Sequence, residues 1–218
     1  MRLRRPARSA AARAYDEAEL PAPEMPWREA RYAVVDLETT GLEPGVDEIV
    51  SFASLPVDAG RITVGAARTL TIRPRRMPGA ETIRIHGLRP KDLSEAPELT
   101  EALDPILEAL TGRVLVAHAA WVERGFLTAA LEEAGVRLRG PVVDTAVLFQ
   151  RAQGSGSTGD ESAVPLSRAA RELGLPVHRP HHADGDALTT AQLFLALATR
   201  LNALERQTVG SLARGSVR

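Results

Sequence analysis

The chain has 218 residues, 44% of them hydrophobic, enough for one substantial core, although length alone allows one or two domains. A formal charge of −1 argues against a uniformly basic nucleic-acid coat, and the absence of cysteine excludes disulfides and thiolate metal sites, leaving oxygen and imidazole ligands. No apolar run approaches a membrane span, and no apolar core follows Arg2, Arg4, Arg5, Arg8 and Arg13, so a cytoplasmic protein without a secretory signal is expected.

Taken in chain order, residues 1–29 read as a flexible basic tail, with Pro21, Pro23 and Pro26 marking the linker. Asp16, Glu17 and Glu19 follow the arginines too closely for a transit peptide. Residues 30–204 read as the single domain and 205–218 as a C-terminal tail. The spacing predicts strands over 32–37, 49–57 and 61–72, with turns at Pro44-Gly45 and at Asp58-Ala59-Gly60. A helix over 97–110, a strand over 114–117 and a helix over 121–134 follow, the last ending at Gly135. Then come a strand at 142–143, a helix over 145–151, a surface loop at 154–159 and a short helix over 166–173. A long helix begins near Asp184. Strands that first form a meander and then alternate with helices predict an α/β fold: a mixed five-stranded sheet with helices on both faces.

Asp36 and Glu38 stand at the end of the first strand, after the apolar run Tyr32 to Val35. Side chains alternate along a strand, so both carboxylates project from one face with Leu37 opposite. Two desolvated acids side by side repel, and a fold tolerates them if one is protonated, if both reach water, or if a cation lies between them. Late in the chain, His181-His-Ala-Asp-Gly-Asp-Ala187 leads into an apolar run at helical spacing, which puts Asp186 in a first helical turn. Taken singly, such an acid is usually a dipole-complementing surface residue and such a histidine structural. In the helix over 121–134 Phe126 falls at core spacing, while Trp121 fits either packing or base stacking. Arg73, Arg75, Arg76, Arg84, Arg89 and Lys91 cluster around Ile85-His-Gly-Leu88, which suits either phosphate neutralisation or a solvated charged face.

Together these segments resemble the DnaQ-like 3′–5′ exonucleases of the DEDDh type, which include proofreading polymerase subunits, RNase T and oligoribonuclease. The first motif matches at Val35-Asp36-Leu37-Glu38-Thr39-Thr40-Gly41 and the third at His181, Ala183, Asp186 and Ala187. The middle motif, usually H-N-A-x-F-D-x-x-F-L, stands here as His118-Ala-Ala-Trp-Val-Glu-Arg-Gly-Phe-Leu127. Ala119 thus replaces an asparagine, Val122 a phenylalanine and Glu123 the metal-binding aspartate. Val142-Val-Asp144-Thr145 resembles the D-T strand end that precedes the third motif.

The resemblance implies an RNase H-like fold and removal of nucleoside 5′-monophosphates from the 3′ end of DNA or RNA. It implies two Mg²⁺ or Mn²⁺ ions on Asp36, Glu38 and Asp186, with Glu123 contributing directly or through water. His181 would be the general base, a role that suits an imidazole. Thr39, Thr40 and the backbone at Gly41 would hold the terminal nucleotide, and His86 and Gly87 would line its pocket. The expected partner is single-stranded or 3′-ended nucleic acid, with DNA polymerase association also open. Glu123 adds a methylene, moving its carboxylate by about 1.5 Å. That change keeps alternatives in view: a nucleic-acid-binding or polymerase-associated module with weak or lost catalysis, or an oligoribonuclease-like enzyme for short RNA.

Overall fold

The computed structural model describes residues 9–154 and 164–216. Residues 155–159 of the expected 154–159 loop lie outside that range. In chain order the elements are α1 (Ala10–Glu17), β1 (Arg31–Thr39), β2 (Ile49–Asp58), β3 (Arg61–Ile62), β4 (Arg68–Thr71), α2 (Ala80–His86), α3 (Pro90–Leu93) and α4 (Leu99–Leu110). They continue with β5 (Val114–Ala117), α5 (Trp121–Glu133), β6 (Val142–Asp144), α6 (Thr145–Ala152), α7 (Leu166–Glu172), α8 (Ala183–Leu204) and α9 (Val209–Leu212).

The sheet runs β3-β2-β1-β5-β6, with β4 also on β2. β1 is antiparallel to β2 and parallel to β5, which is parallel to β6. β3 pairs with Val57 and Asp58 of β2, whereas β4 pairs with Ser51 to Ser54, so the two share one edge position. The single strand expected over 61–72 is therefore split. A 3₁₀ turn at Val64–Ala66, with glycine at its centre, interrupts it. Six strands fill the five positions expected of a mixed sheet.

β1 divides two cores. Ala33, Val35 and Leu37 face α4 and α5, joining Ile106, Leu107, Phe126 and Leu131. Tyr32 and Val34 face α8, joining Phe194 and Leu197, and the Tyr32 ring lies 4.8 Å from that of Phe194. Asp36 and Glu38 continue this second face beyond the apolar residues. Helices cover both faces because β1 and β5 are apolar on both, as central parallel strands must be.

Both expected tails are corrected over their described parts. Ser9 accepts a hydrogen bond from the Ala12 amide at 3.0 Å and caps α1, whose Ala12 and Tyr15 are buried against α4. The Arg139 guanidinium donates to the carbonyls of Tyr15, Asp16 and Ala18 at 2.6–3.2 Å, placing a cation at the negative end of α1. The proline-rich linker is also tied down. Its Met25 and Pro23 carbonyls accept from the Val209 and Gly210 amides at 3.0 and 2.8 Å, while Trp27, Val209 and Leu212 are buried beside α8. A few apolar residues among charges carry too weak a periodicity to read as docked elements, yet burying each is enough to order its segment. Among the described residues, no helix is long and apolar enough to cross a membrane.

Because Tyr15 fills a core site and its hydroxyl accepts from the Arg139 amide at 2.9 Å, Tyr15→Ala should destabilise the protein by about 3 kcal/mol, the scale of a large-to-small aromatic core change. Chemical denaturation measures this, and unchanged stability would mean that α1 is not part of the packed unit.

Candidate active site

The carboxyl ends of β1, β5 and β6 form the site. In the β1–β5 register Val34 lies opposite Val116, so β5 ends before Asp36 is reached and the turn into α5 faces that residue. A β-bulge between Glu38 and Thr39 ends the regular pairing of β1 with β2, the kind of local break that re-aims side chains beside active sites. From the other side of the sheet comes α8. Its Ala183 and Ala187 pack on Ala53 and Leu55 of β2. Small residues on helix and sheet let the backbones approach closely enough for Asp186 to reach the acids of β1.

The structure brings Asp36, Glu38 and Asp186 together, with a carboxylate oxygen from each within 4.8 Å of the others. Glu123, in the first turn of α5, is 96% buried, and its Oε2 has no hydrogen-bond partner among the described residues. No Arg or Lys among the described residues is paired with any of the four acids. Burial pushes the Asp36 carboxyl well above its ordinary range, and the charges of Glu123, Glu38 and Asp186 push it further. Burial, then Asp186, raises Glu38 to about 7. Glu123 rises through burial and through Asp144 and Glu38, against a bond from its own backbone amide. Burial also raises Asp186, opposed by the His181 amide and the nearby imidazoles.

His181 lies immediately before α8 with a left-handed φ of 60°, its ring exposed and its amide donating to Asp186 Oδ2 at 2.7 Å. Its segment is held by α8. The His178 amide donates to Thr189 Oγ1 at 3.0 Å, and Arg179 pairs with Asp184 at 2.6 Å. Gly185 is obligatory there, since a Cβ would come within 2.4 Å of the His178 carbonyl oxygen.

The residues expected to bind nucleotide are placed beside the acids but are partly engaged already. The Thr39 hydroxyl donates to the Gly41 carbonyl. Thr40 Oγ1 donates to Asp47 at 3.1 Å and accepts from the Glu48 amide at 3.0 Å. Any side chain at Gly41 would collide with the Asp47 carboxylate. These three residues thus clasp the 41–48 loop. His86 is buried; its Nδ1 accepts from the Leu88 amide at 3.0 Å, which assigns the proton to an Nε2 without a partner. Burial, then the nearby His182, lowers its pKa. Gly87 caps α2 at φ 76°. Four of the six clustered cations are already paired, Arg73 with Glu98, Arg75 with Glu133, Arg84 with Glu81 and Arg89 with Asp92, which favours the solvated-face reading for them.

Asp144 has a role that its sequence position alone did not reveal. Its Oδ1 accepts from the amides of Ala119 and Ala146 at 3.0 and 2.8 Å, and its Oδ2 from Ala120 at 3.0 Å. It caps α6 and fixes the turn that launches α5. Ala119 takes a φ of 56° in that turn, a conformation in which asparagine is several-fold enriched and alanine is strained. An asparagine at this position would be under less strain than the alanine that stands here. His118 bonds Thr145 Oγ1 and the Val164 carbonyl at 2.9 and 2.7 Å.

The acids also set a pH dependence. A carboxyl whose pKa is raised by folding contributes stability below its unfolded value, about 4. That contribution is lost as pH climbs through the folded value, about 7 for Glu38. In chelator, the melting temperature should fall between about pH 5 and pH 8. Asp36→Asn should flatten that fall and raise the melting point at the alkaline end. Parallel wild-type and mutant profiles would show that these acids do not repel one another.

Comparison with known proteins agrees with this arrangement. A family model described as an exonuclease, RNase_T, matches residues 33–194. A DNA polymerase III subunit epsilon-like protein of Rhodobacter capsulatus is 32% identical over 87% of this chain and 27% of its own length. The PolC-type DNA polymerase III of Thermotoga maritima is 33% identical over 77% of the chain, but that is 12% of the polymerase. The 3′-5′ exonuclease DinG of Bacillus subtilis is 28% identical over 84% of the chain and 19% of its own length. The chain thus spans about a quarter or less of the curated relatives it matches. Among solved structures, exonuclease X in complex with 5′ overhanging duplex DNA superposes with a TM-score of 0.63 at 22% identity, covering 84% of this chain and 97% of that one. E. coli exonuclease I with a bound oligonucleotide gives 0.66 at 16%, covering 80% and 42%. These likenesses establish the RNase H-like exonuclease fold. With a family model running from β1 to α8 through all three motifs, the chain belongs to the RNase T-type exonuclease family.

Proposed function

We propose that this protein is a metal-dependent 3′–5′ exonuclease that hydrolyses terminal phosphodiester bonds of DNA or RNA and releases nucleoside 5′-monophosphates. The observation that carries the reading is the cluster of Asp36, Glu38 and Asp186 from two distant segments, with Glu123 acting on Asp36 from a third and keeping a buried oxygen without a partner, and with no Lys or Arg among the described residues paired with any of them. Such a donor set fits hard divalent cations such as Mg²⁺ or Mn²⁺, which take oxygen ligands. Asp36, Glu38, Glu123 and Asp186 would hold two ions, which when bound supply charge neutralisation, an activated water and stabilisation of the leaving 3′ oxygen.

The chain's own residues would do the rest. His181, exposed beside Asp186, accepts the proton of the attacking water at its imidazole. The Asp186 carboxylate fixes the backbone beneath that ring, and Gly185 and Thr189 fix the segment leading to it. The clasped 41–48 loop would form the flank against which a terminal nucleotide lies, with His86 buried behind that surface. The name of the DinG relative supports 3′-end polarity, and those of the polymerase relatives support association with a DNA polymerase. Glu123 answers the sequence departure. It is buried instead of turning to solvent, and its charge acts on Asp36, which favours a retuned ligand over a decayed site.

His181→Ala should lower turnover by about 10²- to 10⁴-fold, the usual worth of a general base, with the melting temperature unchanged. Rates equal to wild type across pH would remove His181 from that role. A 5′-labelled strand should give a shrinking ladder, and immediate release of labelled mononucleotide would contradict the polarity.

Glu123→Gln removes charge at nearly constant shape and should cripple turnover in both metals. Glu123→Asp should retain measurable activity, with Mn²⁺ more permissive than Mg²⁺ because Mg²⁺ demands near-ideal octahedral geometry. Unimpaired Glu123→Gln turnover would take this residue out of the site.

A further inference from the structure

Trp121 is 48% exposed and makes no ring contact among the described residues, whereas the chain's other tryptophan, Trp27, is 1% exposed and meets Phe194 edge-on. Trp121 is the first residue of α5, two positions before Glu123. Gly125 follows one helical turn later on the same face. Against Gly125 lies Pro44, so closely that a Cβ would come within 2.6 Å of its Cγ. The 41–48 loop is therefore pressed onto the face of α5 that Trp121 begins.

That loop is rigidly built. Asp47 accepts from Thr40 Oγ1 and from the Glu43 amide at 3.1 and 3.0 Å, and the Thr40 amide donates to the Glu48 carbonyl at 2.9 Å. It leaves Leu42 and Val46 exposed. Exposed apolar side chains thus stand on the loop that follows Glu38 and, as Trp121, on the helix that carries Glu123. Trp121 opens that helix just after the turn that faces Asp36, with its ring outside the core.

We propose that Trp121 is a stacking platform for an unpaired base of the substrate strand as it approaches the acid cluster. The proposal rests on the nuclease reading above and adds the chemical class recognised next to the cleaved end: an unpaired nucleobase, purine in preference to pyrimidine for its larger π-face. Aromatic stacking tolerates any sequence because every base has such a face, and it requires that the base be out of its duplex. The arrangement therefore selects single strands and frayed ends. Trp121 is a substrate-contacting residue that leaves the acids and His181 untouched.

The test uses the full chain with an oligo-dA strand carrying a 5′ fluorophore, in Ca²⁺ for binding and in Mn²⁺ for turnover. Trp27 is shielded from direct contact with a strand, so a change in tryptophan emission on binding reports on Trp121. It should be quenched as the strand binds, in step with fluorophore anisotropy. Trp121→Leu should abolish the quenching, weaken binding by about 5- to 100-fold, and raise KM by a similar factor with kcat little changed. Trp121→Tyr should restore most of the affinity. Scanning an abasic site along the strand should find one position that weakens wild-type binding and leaves Trp121→Leu unaffected. Binding by anisotropy with unchanged emission, or equal affinity in Trp121→Leu, would overturn the platform while the nuclease stands. A wild-type protein that neither binds nor degrades the strand would overturn both.

Discussion

Burial of carboxylates beside one another, with their repulsion added to the loss of hydration, is the constraint on which this structure turns. Asp36, Glu38, Asp186 and Glu123 each become harder to ionise in the fold, and their neighbours' charges are among the causes for three of them. Nothing in the cluster itself favours bringing them together. The apolar framework does so, because β1 is gripped on one face by α4 and α5 and on the other by α8. Asp36 and Glu38 occupy the stretch of β1 that overhangs the end of β5, and Asp186 and Glu123 reach them from α8 and α5. Burial of two cores supplies the stabilisation that offsets the local cost, as expected where function needs charge in a dry place.

The residues around the acids divide into those aimed at the cluster and those that aim them. Asp144 belongs to the second group. Its three amide bonds tie β6, α6 and the start of α5 into one corner, so Glu123 is set by a residue outside the cluster. Gly185 and Thr189 do the same for His181, and Asp47 does it for the loop beyond Glu38. Thr39 and Thr40 are internal fasteners as built, whatever further contacts their backbone makes.

Much of this was legible in the sequence. The apolar run before Asp36, the helical spacing after Asp186 and the alternation of strands with helices fixed the elements that matter, most within two residues. The acids were legible because their motifs are local. What was hidden is what depends on tertiary contact. Nothing near residue 61 announces that its strand breaks to share an edge. Tyr15 and Trp27 look like isolated aromatics among charges until the surfaces they fill are present. The hydrogen bonds of Asp144 join residues 25 positions apart, and no spacing rule reveals them. Ala119 was readable only as a departure from the motif; its left-handed backbone explains why an asparagine would be at ease there.

The order in which the chain can close its site is a consequence of the separation between Asp36 and Asp186. β1 and β2 pair through a local turn, with Thr39 opposite Ile49, and need no later residue. Asp186 arrives about 150 positions further on, carried by the last long helix. Contacts so distant form late, after the local ones have reduced the entropy of closing the loop. The acids are therefore still apart while most of the sheet is built, and their repulsion is met when the amino end of α8 docks. That repulsion weighs on how fast this end opens more than on how fast the chain folds. A cation seated among the acids would then act as a kinetic latch, lengthening the life of the closed state at the one seam where first strand and last long helix meet.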